Sequence, residues 1–117
     1  MAINFAELDK ELKEGPLTRD ELLIIERFEN QIDKDIKRQY TGNNSVHISD
    51  HQVEFTFDSI QDRQLNLPYA RRKIMTKELL NRYDRAGWKV QKDSGGEDDG
   101  PNRPAIPFYV FTGKTLR

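Results

Sequence analysis

One helix in this chain has both its start and its buried face spelled out residue by residue. Thr18-Arg19-Asp20-Glu21 forms a capping box. The Thr hydroxyl accepts from a free N–H of the first turn, and the Glu side chain accepts from the N–H of the cap residue. Leu17 and Leu22 are placed as a hydrophobic staple across it. Ile25, Phe28, Ile32 and Ile36 follow at spacings of three, four and four, which aligns them on one face of an α-helix. The opposite face is charged. The pattern predicts a helix over about residues 19–40, stopped by Gly42-Asn43-Asn44. A stripe of this kind faces a core.

A shorter helix precedes it. Asn4 is placed to cap Phe5-Ala6-Glu7, Ile3 and Leu8 to form a staple, and Phe5, Leu8 and Leu12 share one face. Gly15-Pro16 ends it, the glycine through its tolerance of positive φ. Residues 1–16 therefore read as an N-terminal helical segment. Past residue 44 the period changes to two. Val46 and Ile48 alternate with Ser45, His47 and Ser49, Asp50-His51 stands where a hairpin turn is needed, and Val53, Phe55 and Phe57 alternate with polar residues. A third helix is predicted over about 69–86. Met75, Leu79, Tyr83 and Ala86 lie on one face, Pro68 stands near its start and Gly87 at its left-handed C′ position. Trp88 and Val90 then open a strand, and Ile106 to Thr112 form another.

The predicted fold class is thus α+β, one domain over 1–117: a single antiparallel sheet of about four strands with helices packed on one face. The predicted core is Leu22, Ile25, Phe28, Ile32, Phe55, Phe57, Leu79, Tyr83, Trp88 and Val90. Residues 93–104, rich in Gly, Asp and Pro, read as a mobile acidic loop. No apolar run approaches the roughly 20 residues of a membrane helix. The first residues lack the basic and apolar regions of a signal peptide. With no Cys in the chain, disulfides and thiolate metal sites are excluded. The expectation is a small soluble, cytoplasmic domain with no membrane partner.

Charge is segregated along the chain. Residues 1–62 carry a net charge of −7, residues 63–92 a net charge of +7 and residues 93–117 a net charge of −1, so the whole chain is nearly neutral at −1. Two readings follow. The acidic and basic segments can pack together and neutralise each other, or the basic segment can form a face that meets nucleic acid or an acidic protein. The candidate binding face is Arg71, Arg82, Arg85, Lys89 and Lys92, with Tyr69 and Tyr109 placed to stack on bases.

Other chemistries find less support. His47 and His51 are the chain's two histidines, short of the three or four converging ligands a zinc site needs. The acids Asp93, Glu97, Asp98 and Asp99 lack the register of a calcium loop. Gly95, Gly96 and Gly100 are set among acids, where a phosphate loop needs bare N–H groups and a Lys. No nucleophile is paired with a base in any pattern that signals catalysis. The expectation is a protein that is not an enzyme, with no cofactor and no metal. The sequence does not specify an oligomeric state.

The stretch Lys77-Glu78-Leu79-Leu80-Asn81-Arg82-Tyr83-Asp84-Arg85-Ala86-Gly87-Trp88-Lys89-Val90, followed by a polar loop and Phe108-Tyr109-Val110-Phe111, resembles small accessory proteins of tailed bacteriophages. The resemblance covers about residues 20–112. It implies a helix–hairpin–helix–hairpin α+β fold and a protein that works by binding a host or viral protein, in the host cytoplasm if the chain is viral. It names no site residues. The leading functional expectation is a protein-binding module acting by protein–protein contact, and the alternative is a nucleic-acid-binding protein using the basic segment 63–92.

Overall fold

The first two helix starts form as their caps require. In the computed structural model, which describes residues 2–55, 67–93 and 108–114, Asn4 Oδ1 accepts from the Glu7 N–H at 3.1 Å and opens α1, Phe5–Glu14. Thr18 and Glu21 form the complete reciprocal capping box of α2, Arg19–Gln39. The chain continues through β1 (Val46–Ser49), a single turn α3 (Asp50–Val53), α4 (Tyr69–Arg85), β2 (Trp88–Asp93) and β3 (Phe108–Gly113). Gly87, at φ +98°, turns α4 into β2 through a conformation that a side chain disfavours.

The described strands form one antiparallel sheet in the order β1-β3-β2. Val46 faces Phe111 and Phe111 faces Val90, so these three make one cross-strand row. Ile48, Tyr109 and Trp88 lie on the same face by alternation. Onto it pack Ile24, Ile25, Ile32 and Ile36 of α2 and Met75, Leu79 and Tyr83 of α4, all buried. The Tyr83 and Phe111 rings meet edge to face at 5.2 Å. His47, Lys89 and Gln91 point away from this core into solvent.

Several expectations need correction. Among the described residues the sheet has three strands, not four. The hairpin expected at Asp50-His51 is a helical turn, closed by the Glu54 N–H on Asp50 O at 2.8 Å, and β1 pairs instead with the distant β3. That turn sends Val53 and Phe55 inward beneath α2, where the Phe55 and Phe28 rings lie 4.3 Å apart. Leu22 is exposed and Ile24 is buried in its stead. The α2 stripe is centred near Glu21, and Leu22 lies about 100° away from it on a helix of 3.6 residues per turn. Phe28, Trp88 and Val90 are half-buried at the core's margin.

Gly15 has φ −63°, not the positive φ expected. It is required because a Cβ there would sit 2.3 Å from the Glu11 carbonyl oxygen. Phe57, Ile106 and the acidic loop beyond Asp93 lie outside the described residues.

Candidate functional site

Of the five basic residues expected to form one face, only Arg82 and Arg85 are brought together, around Glu78. Arg71 is buried at 7% exposure. It continues the inward row of α4, four residues before Met75, which places it against the first turn of α2. Its guanidinium grips Glu21 as a fork, Nε donating to Oε2 at 2.9 Å and Nη2 to Oε1 at 2.6 Å. Burial alone would raise the Glu21 carboxyl. The hydrogen bonds from Arg71 and Thr18, with the charge of Arg71, outweigh burial and hold it below the usual range. The same hydrogen bonding raises Arg71 against the opposing effect of its burial.

The remaining donors of Arg71 serve a second purpose. Nη1 donates to the carbonyls of Glu11, Leu12 and Gly15, and Nη2 to that of Pro16. The last carbonyls of a helix have no partner within it, so Arg71 satisfies the end of α1 and ties it to the body. Among the described elements α1 packs only on α4, and none of its residues is buried. Its apolar face is turned outward: Phe5 is 80% exposed, and Leu8, Leu12 and the preceding Ile3 are exposed as well. The anticipated Ile3–Leu8 staple therefore buries neither residue.

Arg82 and Arg85 lie on a flank of α4 and are neutralised there. Arg82 reaches Glu29 of α2 at 3.5 Å and Glu78 at 3.6 Å, and Arg85 reaches Glu78 at 2.9 Å. Lys92 pairs with Glu54 at 2.7 Å at the far end of β2. Lys89 is on the outer sheet face, with no ion pair among the described residues. Of the two aromatics expected to stack on bases, Tyr69 is exposed. Tyr109 is buried, and its hydroxyl donates to Glu54 at 2.9 Å. Burial, followed by that hydrogen bond, raises the Tyr109 phenol well above its ordinary value. The Tyr83 phenol is raised likewise by burial and by its bond to Asp33 at 2.7 Å.

Among the described residues no three His, Asp or Glu side chains converge as a metal ion would require. His47 stacks on Phe108 on the outer sheet face, and His51 is exposed beside Asp50. No described helix is long and apolar enough to cross a membrane.

The described residues thus define an α+β domain in which Arg71, Arg82, Arg85 and Lys92 of the basic segment are paired with carboxylates. Its most prominent outward apolar feature is a helix held by polar contacts. Comparison with models of known protein families, with curated proteins and with solved structures finds no match.

Proposed function

We propose that the chain is a non-enzymatic binding module that acts by protein–protein contact. The observation that carries this reading is α1. A helix with Phe5, Leu8 and Leu12 in line on its outer face, fastened to the body by one arginine, presents an apolar stripe to the surroundings. Contiguous exposed apolar surface of this kind marks interaction sites. The likeness to small bacteriophage accessory proteins adds a host or viral protein as the kind of partner. The nucleic-acid reading has weaker support, because Arg71, Arg82, Arg85 and Lys92 are already paired with carboxylates.

The test is affinity capture of the tagged chain with identification of what accompanies it, repeated with Phe5→Ser/Leu8→Glu. The expected result is a defined protein retained by the wild type and lost from the variant, with the melting temperature unchanged. Retention by the variant would remove α1 from the interface.

A further inference from the structure

A second surface lies along the outer side of α4, apart from the apolar face of α1. An open groove of about 940 Å³ runs between α4 and Glu54-Phe55, with Tyr109 in its wall and Lys13 of α1 at its edge. Its floor is apolar: Phe55, Ile74 and Leu80 contribute side chains that are buried or half-buried. Its rim is basic. Arg72, Lys73 and Lys77 stand along it, and none of the three has a carboxylate partner among the described residues. Arg72 is spent on main-chain carbonyls, those of Leu67 at 3.1 Å and Phe55 at 3.4 Å, and lies over the exposed ring of Tyr69. Lys73 and Lys77, one helical turn apart, extend into solvent. The single carboxylate among the described lining residues, Glu54, is engaged by Lys92 and by the Tyr109 hydroxyl.

We infer that this groove is a docking site for an acidic segment of a partner protein, one in which Asp or Glu alternates with apolar side chains. The charge complementarity is direct. Lys73 and Lys77 offer two ammonium groups to carboxylates, while the floor between α4 and Phe55 offers apolar area that a phosphodiester chain cannot use. Tyr69 has the Arg72 guanidinium 5.8 Å over its ring, which occupies one face that a base would stack on, and its exposed remainder borders the groove as a shoulder for a peptide.

A random peptide library selected on the immobilised full chain tests this. The expected outcome is enrichment of sequences that interleave acidic with aromatic or aliphatic residues. A synthetic copy of an enriched peptide should lose about tenfold or more in affinity for Lys73→Glu/Lys77→Glu, about 1.4 kcal/mol or more. It should weaken also for Tyr69→Ala, and its affinity should fall with added salt. All three side chains are exposed, so the variants should melt with the wild type. Phe5→Ser/Leu8→Glu should leave peptide binding intact, which separates this groove from the α1 surface. Selection without acidic enrichment, or peptides that bind the double charge reversal as well as the wild type, would overturn the assignment. Duplex DNA that displaces the peptide and is itself lost on the same substitutions would assign the groove to nucleic acid instead.

Discussion

At the scale of single residues, the pair Glu21–Arg71 decides most. A carboxylate and a guanidinium, each nearly out of contact with water, are stable only because each satisfies the other and the spare N–H groups find carbonyls. Removing one partner strands the other, so Arg71→Met or Glu21→Ala should each cost about 3–5 kcal/mol in denaturant unfolding. Glu21→Leu combined with Arg71→Met should recover part of that loss but not the tether of α1, whose amides would then exchange faster with solvent. The pair also sets an acid limit. The folded Glu21 carboxyl ionises at lower pH than the unfolded one. Its contribution is therefore complete above the ordinary value of 4.5 and disappears as pH falls through the lower folded value. Stability measured from pH 7 downward should show this component in the wild type, and Glu21→Gln should lack it.

At the scale of elements, the long helices divide into two that carry the core, α2 and α4, and one that does not, α1. Leu79 of α4 is fully buried in the core, and Leu79→Ala should cost about 2–5 kcal/mol from lost transfer energy and the cavity left behind. Phe5→Ser and Leu8→Ser should each fall within about 0.5 kcal/mol of the wild type, because Phe5 is 80% and Leu8 50% exposed and neither is part of the core. Equal destabilisation by the two sets in thermal or denaturant melts would mean that α1 packs into the body after all. The two helix starts look alike in the sequence, each with a cap and a flanking pair of apolar residues. A cap satisfies the first-turn N–H groups and carries no information about what the helix face will meet.

At the scale of the whole molecule, part of the charge segregated along the sequence is folded back on itself. Glu21 and Glu29 of α2 meet Arg71 and Arg82 of α4, and Glu54 meets Lys92. The chain should therefore bind generic duplex DNA weakly at physiological salt, and Arg82→Ala or Arg85→Ala should leave both the affinity and its salt dependence unchanged. A log–log salt slope near −4.5, the value for about five neutralised phosphates, would contradict this. The exposed pairs themselves contribute only about 0–1 kcal/mol each, so the same substitutions should barely move the melting temperature.

Local chemistry determined what is local in this protein. The starts of α1 and α2, the end of α4 at the left-handed Gly87 and the alternation of Trp88 and Val90 all follow from capping, helical period and pleat, which act within a few residues. Even Glu21 and Arg71 carry a legible signal, since each falls in phase with an apolar stripe, Glu21 four residues before Ile25 and Arg71 four before Met75. Read one helix at a time, however, Glu21 serves as a capping residue and Arg71 as a surface cation. Only the tertiary structure decided that they meet, that β1 turns away from its neighbour in sequence to pair with β3, and that the apolar side of α1 faces outward. These depend on contacts between residues some fifty or more positions apart. Their energies come from burial and pairing across elements, to which periodicity within any one element is blind.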